Sequence, residues 1–333
     1  MRVGLIIGKF MPLTKGHIGL IEFGLQNCDK LIVAVCSIKS EPINGDLRFE
    51  WVKKHFYNNK KVQVEHITRE DLPDDTESNR YVSKVWGEYL QSLYPEVNIV
   101  FASEKYGEYL GEYMNIQYKI FDVERKTIPI SATLVRQNPF KYWNYIPEVV
   151  KPYYVKKVCI YGSDSCGKST LTIDLAKHYK TAFVPELARN MFEWSDLQTE
   201  NLNINHLEQF AKLQYDAVLS MTHFANKILF CDSDNITTQV YSMVYCGFIT
   251  DEIKKYELNY DLFLFLDIDT PYIEDGQRDL GDRRKEMRQK FMSELDIRGI
   301  QYILINGSWE ERFSKAVKAI EENIFKGGGG ISD

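Results

Sequence analysis

No stretch of this 333-residue sequence is long and apolar enough to span a bilayer, so no membrane insertion is expected. The opening MRVGLIIGKF is a short apolar run with a glycine inside it, which excludes a secretory signal peptide as the reading of that segment. Cysteine is sparse: six residues, never in a C-x-x-C or other metal-type spacing. They lie in apolar runs such as LIVAVC and KILFC, which suits small buried hydrophobes in a reducing, cytoplasmic setting. A large excess of one charge is also missing, since 41 basic and 47 acidic residues leave a net charge of −6. A basic face is what sequence-independent nucleic-acid binding requires, so no nucleic-acid partner is expected. Solenoid-type repeats are absent too.

What is present is an ordinary globular composition, 44% hydrophobic and 26% charged, in a chain long for one domain. Two halves begin alike, each with an apolar strand entering a glycine-bearing turn: RVGLIIGKF from Arg2 and KKVCIYGSDSCGKS from Lys156. Further strands are expected at Leu31–Ser37, Val62–Ile67 and Asn98–Ser103, then at Ile228–Asp234, Asp261–Asp269 and Gln301–Gly307. Helical stretches such as LRFEWVKKHF and NRYVSKVWGEYLQSLY separate them. That alternation predicts an α/β protein with two doubly wound parallel-sheet domains. The proline- and aromatic-rich NPFKYWNYIPEVVKPYY reads as a packed connector with the boundary near Lys151–Val155. The expected division is therefore residues 1–150, residues 151–326 and a flexible tail at 327–333.

Gly162-Ser-Asp-Ser-Cys-Gly-Lys-Ser169 fits G-x-x-x-x-G-K-S, with a strand before it and a helix after it. Glycines at 162 and 167 let backbone N–H groups curl around a phosphate, and the helix start adds partial positive charge. Ser165 belongs to the turn and Thr170 to the helix start; Lys168 is expected at the β/γ-phosphates of ATP and the Ser169 hydroxyl on Mg²⁺. Acids close the neighbouring strands. Glu186, with Arg189 after it, follows the apolar TAFV, and Asp232 and Asp234 end ILFCDSD. A carboxylate there is expected to hold Mg²⁺ through water or to take a proton from an attacking hydroxyl; solvated strand ends are the plain alternative. Arg278 and Arg283 fit an arginine-rich lid closing over a transferring phosphoryl group, whereas Arg288 suits a solvated helix face equally well.

In the first half, Gly8-Lys9-Phe10-Met11-Pro12-Leu13-Thr14-Lys15-Gly16-His17 joins a strand to a helix. Thr14 and His17, paired across a turn, are expected to donate to one phosphate. Far along the chain, Ser131 is a good helix N-cap, with Thr133 and Arg136 three apart on one helix face. Together they offer a second grip for a triphosphate.

GKFMPLTKGH resembles the (H/T)xGH signature of nucleotidylyltransferases, and ISATLVR resembles their ISxTxxR partner motif. ASEKYGEYL and DVERKTIPISATLVRQNPFKYW, then GSDSCGKST, VPELARNMFE, DSDNITTQVY and PYIEDGQRDLGDRR, are similar to the bifunctional nicotinamide-mononucleotide adenylyltransferase and ribosylnicotinamide kinase of the NadR type. The similarity runs from about residue 1 to about 320. It implies a Rossmann-like nucleotidylyltransferase domain followed by a P-loop kinase domain. It further implies that one phosphorylates nicotinamide riboside with ATP and the other adenylylates the resulting mononucleotide to NAD and pyrophosphate, both with Mg²⁺.

On that resemblance Lys9, Thr14 and His17 face the phosphates of ATP, with Gly8 and Phe10 in the same turn. Ser131, Thr133 and Arg136 take the leaving pyrophosphate. Glu186 is the expected base, Asp232 the metal-orienting acid, and Asp234 and Arg189 substrate contacts. Trp86 and Tyr81 are set against the nicotinamide ring, core packing being their other reading. Some members carry an N-terminal helix-turn-helix domain; with a strand at Arg2 none is expected here. Rival readings are the same two folds acting on another nucleoside and nucleotide, and a nucleotide-sensing regulator without turnover. The sequence is compatible with a homo-oligomer.

Overall fold

The computed structural model describes residues 1–73, 79–195, 197, 199–272 and 280–326. Arg278 and the tail at 327–333 lie outside the described residues. The chain divides into two compact units that meet at Lys151 and Pro152.

In the first unit β1 (Val3–Gly8), α1 (Lys15–Asn27), β2 (Lys30–Cys36), α2 (Gly45–His55) and β3 (Val62–Ile67) are followed by α3 (Arg80–Leu93), β4 (Ile99–Ala102), α4 (Tyr106–Met114), β5 (Gln117–Ile120) and α5 (Ala132–Gln137). The five strands form one parallel sheet in the order β3-β2-β1-β4-β5, with β1 and β2 in register from Val3↔Lys30 to Gly8↔Val35. Helices cover both faces, which is why the central strands read as unbroken apolar runs. Val3, Leu5, Ile32, Ala34 and Val100 pack on one face against Leu90 of α3 and Leu110 and Met114 of α4. Each of these side chains larger than alanine contributes about 1.5–3 kcal/mol on burial. The strand β5 was not expected from the sequence. Its QYKI is polar and half exposed at the sheet edge, so neither a continuous apolar run nor an alternation marks it.

The short α6 (Lys151–Tyr154) precedes β6 (Lys156–Tyr161), α7 (Lys168–Tyr179), β7 (Phe183–Val184), α8 (Leu187–Ser195), α9 (Ile204–Met221), β8 (Ile228–Asp232) and α10 (Asn235–Tyr245). Then come α11 (Asp251–Lys254), β9 (Leu262–Leu266), α12 (Arg284–Ile297), β10 (Tyr302–Ile305) and α13 (Trp309–Ile320). This second sheet is also parallel, in the order β10-β9-β6-β8-β7. Cys159, Tyr161, Phe263 and Phe265 meet Phe291 and Leu295 of α12 and Val240 of α10. The expected α/β class with two doubly wound parallel sheets is thus borne out. In each sheet the first strand is central and its neighbours are reached by crossovers to opposite sides. Doubly wound sheets bind ligands at the carboxyl ends of such strands.

All six cysteines are unpaired, four of them buried. Among the described residues no helix is long and apolar enough to cross a membrane.

Candidate functional site

A cavity of about 400 Å³ lies in the first unit, at the carboxyl ends of β1, β2 and β4. Gly8, Lys9, Phe10, His17, Trp86, Thr133 and Arg136 line it. Phe10 adopts a positive φ of 48° as the chain leaves β1, and its buried ring lies 5.1 Å from that of His17. Thr14 is the N-cap of α1 and His17 its third residue, and the two form a reciprocal capping box. The Thr14 backbone N–H donates to His17 Nδ1 at 3.1 Å, so the ring proton belongs on Nε2. Burial, and secondarily the Arg125 charge, lower the His17 pKa to about 4. The imidazole is therefore a neutral donor at physiological pH.

Thr14 contacts His17. Its hydroxyl is 1% exposed, caps His17 N–H and contacts His17 Nδ1 at 3.1 Å, and it does not line the cavity. Thr14 is placed to orient the His17 ring.

Arg136 donates to the Met11 carbonyl at 2.6 Å and to Thr133 Oγ1 at 3.4 Å. That ties α5 to the turn after β1 and brings the two motifs, far apart in sequence, to one cavity. Ser131 caps α5 by accepting from Leu134 N–H at 3.2 Å. Lys9 Nζ lies 3.0 Å from Glu41, whose other oxygen meets fully buried Arg48. Burial opposes ionisation of Glu41, but Lys9, the Ile38 N–H and Arg48 outweigh it and hold the carboxyl low. Arg48 also donates to the Lys9 carbonyl at 2.7 Å, a contact the sequence reading missed. Trp86 lines the cavity with Nε1 on the Pro73 carbonyl at 3.0 Å. Tyr81 is 71% exposed and does not line it, which separates the expected aromatic pair.

In the second unit the turn after β6 has φ of +145° at Gly162, +59° at Ser165 and +89° at Gly167. At Gly167 a Cβ would meet the Trp309 ring at 2.5 Å, so conformation and space both require glycine. The buried Lys168 reaches the Ser163 carbonyl at 3.1 Å. Burial alone would lower its pKa; the charges of Glu186, Asp164 and Asp232 around it raise it instead. Ser169 and Thr170 stand exposed at the helix start. Asp232, whose ionised form Ser169 favours, is 2% exposed and keeps one oxygen without a partner among the described residues.

Glu186 and Asp232 are both pushed above the usual carboxylate range, chiefly by burial, with Lys168 opposing. Gln214 on α9 sets Glu186 beside Asp232: its amide donates to the Pro185 and Asp232 carbonyls, both at 3.3 Å, and accepts from Leu187 N–H at 3.1 Å. The sequence offered one signal for it, a polar residue on the buried Leu207, Phe210, Ala211 and Val218 face of α9.

Beside these acids a second cavity, of about 100 Å³, is lined by Asp164, Glu186, Arg189, Asp234 and the aromatics Phe192, Phe210, Tyr241 and Tyr245. Arg283, at the N-cap of α12, forms a two-pronged pair with Glu286 at 2.7 and 2.9 Å. Its neighbour Arg284 touches the turn through the Ser165 carbonyl at 3.2 Å. Arg288 forms a bidentate pair with Asp267 at 2.6 and 3.2 Å. Among the described residues no group of three or more His, Cys, Asp or Glu side chains is placed to hold a metal.

Asp234 caps α10 through Thr237 and is 3% exposed. Burial raises its pKa from 3.8 to about 7, against the pull of the Thr237 N–H and hydroxyl. The unfolded chain therefore gives up this proton first, and stability is lost as pH rises from about 4 through about 7. Asp234→Asn keeps a capping oxygen. It should raise the urea midpoint near pH 8 by a gain on the order of a few kcal/mol and change little near pH 4. Equal midpoints for the two proteins near pH 8 would show that the buried charge is already compensated.

Residues 157–312 match the model of the AAA domain family. The trifunctional NAD biosynthesis/regulator protein NadR of Escherichia coli (strain K12) is 28% identical, over 96% of this chain and 83% of that protein. The nicotinamide-nucleotide adenylyltransferase of Pyrococcus furiosus is 23% identical over 46% of this chain, with 82% of its own length covered. A crystal structure of NadR in complex with NR has a TM-score of 0.81 at 24% identity, covering 97% of this chain and 96% of that one. A second, with NAD and AMP-PNP, has a TM-score of 0.80 at 23% identity and covers 100% and 97%. The chain is similar to the NadR proteins along nearly its whole length.

Proposed function

We propose that this chain is a two-reaction enzyme of NAD synthesis. Its second unit phosphorylates nicotinamide riboside with ATP, and its first unit adenylylates the mononucleotide to give NAD and pyrophosphate. The observation that carries this reading is a separate cavity in each unit, the second beside the glycine-bearing turn after β6, in a chain similar to NadR over 96% of its length.

In the first unit the acceptor is a phosphate that arrives ionised, so the step needs positioning and neutralisation of charge more than a base. His17 donates from Nε2 to the α/β-phosphate region, held by the Thr14 cap. Lys9 and Arg136 flank the phosphates, and Thr133 and the start of α5 receive the leaving pyrophosphate. Trp86 offers a flat surface for the nicotinamide ring.

In the second unit the acceptor is a hydroxyl, and Glu186 takes its proton as the oxygen attacks the γ-phosphorus. Lys168 and the N–H groups of the turn bind the β/γ-phosphates. Asp234 and Arg189 hold the riboside in the small cavity, with Tyr241 and Tyr245 beside it. The oxygen donors Ser169 and Asp232, the latter with a buried oxygen lacking a partner among the described residues, suit Mg²⁺. Bound there, Mg²⁺ would neutralise phosphate charge.

Lys168→Ala should abolish riboside phosphorylation and spare NAD synthesis from the mononucleotide. His17→Ala should do the reverse, lowering adenylyl transfer by about 10²–10³-fold. Chromatography of incubations with ATP, Mg²⁺ and either substrate reads both; equal loss of the two activities in one folded variant would sink the two-site reading.

The raised Glu186 carboxyl stays protonated into mildly acidic solution, where it cannot accept a proton. Kinase kcat should therefore fall as pH drops. Glu186→Gln should lower kcat by about 10²–10⁴-fold and remove that limb, with ATP affinity preserved. If Asp232→Asn removes the limb and Glu186→Gln only shifts the Mg²⁺ dependence, the two roles are exchanged.

A further inference from the structure

We propose that Arg312 is a positioning residue of the kinase unit, which sets the phosphate turn in its binding conformation from behind. The proposal rests on the reading of residues 162–169 as the ATP phosphate cradle. Arg312 lies on the buried side of α13 and is 1% exposed. Its guanidinium is spread over three segments. Nη1 donates to the Cys166 carbonyl at 2.6 Å, Nη2 to the Asp267 carbonyl at 3.0 Å and to the Asp269 carboxylate, and Nε to the Gly307 carbonyl at 3.0 Å. Asp269 in turn accepts from Gly307 N–H at 2.6 Å, so the end of β9 and the loop before α13 are closed around the same group.

The consequence follows from the planar trans peptide, in which the carbonyl of one residue and the N–H of the next point in opposite directions. With the Cys166 carbonyl turned to Arg312, the Gly167 N–H is turned away from it. The preceding peptide is fixed in the same manner, because the Ser165 carbonyl accepts from Thr270 Oγ1 at 3.1 Å and Arg284 at 3.2 Å, which directs the Cys166 N–H. A phosphate turn binds anions through N–H groups aimed at one point. Arg312 holds the N–H of Gly167 there before the ligand arrives, which removes an ordering cost from binding. The Trp309 ring, 5.7 Å from the guanidinium and packed on Gly167, shields the contact from water. Four donor contacts to carbonyl and carboxylate oxygens in a fixed fork are geometry that lysine cannot reproduce.

The test is calorimetric titration of the full chain with ATP and Mg²⁺, in which the wild type shows one site in each unit and Lys168→Ala removes the second unit's site. Arg312→Met should weaken that site by about 10- to 100-fold and leave the first unit's site unchanged. In riboside phosphorylation the KM for ATP should rise while the KM for the riboside stays. Arg312→Lys, keeping the charge and fewer contacts, should fall between. A role in stability alone predicts a lower unfolding midpoint, with ATP affinity of the folded variants within about twofold of wild type, and that result overturns the proposal. Should Arg312→Met fail to fold, Arg312→Lys decides by the same criterion. A wild type that binds ATP in both units and phosphorylates no riboside would end the substrate reading, while the ATP affinities still judge Arg312.

Discussion

A strand that runs straight into a helix leaves the first N–H groups of that helix without partners, and each unit is built around how it treats them. Leaving α7 uncapped keeps those groups for a ligand: its N-cap is Gly167, which offers no side-chain hydrogen bond. Capping α1 does the opposite, because Thr14 and His17 satisfy two of the donors between them. In the first unit the polar groups that line the cavity are side chains, among them His17, Lys9, Thr133 and Arg136. The same local problem thus yields a backbone cradle in one unit and a side-chain cradle in the other.

The buried charges follow from those two solutions. Around Lys168 the structure gathers Asp164, Glu186 and Asp232, and burial raises both Glu186 and Asp232. Such a cluster works against folding at neutral pH and is tolerable because one buried cation faces several acids. In the first unit the balance is reversed. Glu41 is shared by Lys9 and Arg48 and stays ionised, and His17 stays neutral.

Much of the architecture was legible because parallel strands covered on both faces must be apolar throughout; LIVAVC and LFLFL announce themselves. The phosphate turn was legible because its glycines answer to backbone geometry alone. What stayed hidden depended on tertiary partners. Thr14, three residues before His17, looks like its fellow donor in the sequence, and only the helix start reveals that the two also cap each other. Among adjacent arginines, the sequence did not single out Arg284, which reaches the Ser165 carbonyl of the turn. Gln214 and Arg312 left one trace each, a polar residue on an otherwise buried helix face, which marks burial but not the carbonyls it serves.

The chemistry of the two acceptors accounts for the difference between the cradles. A hydroxyl loses a proton as it attacks, which a carboxylate with raised basicity assists; on the proposed reading that carboxylate is Glu186, whose loop Gln214 holds beside Asp232. A phosphate acceptor is already an anion. A free carboxylate next to it would repel it, and among the described residues the acids lining the first cavity are each matched with a cation: Glu41 with Lys9 and Arg48, Glu104 with Arg125 at 3.7 Å. Withdrawing acids from one site and concentrating them in the other is what an ordered pair of reactions requires, since the hydroxyl of the first step becomes the phosphate of the second.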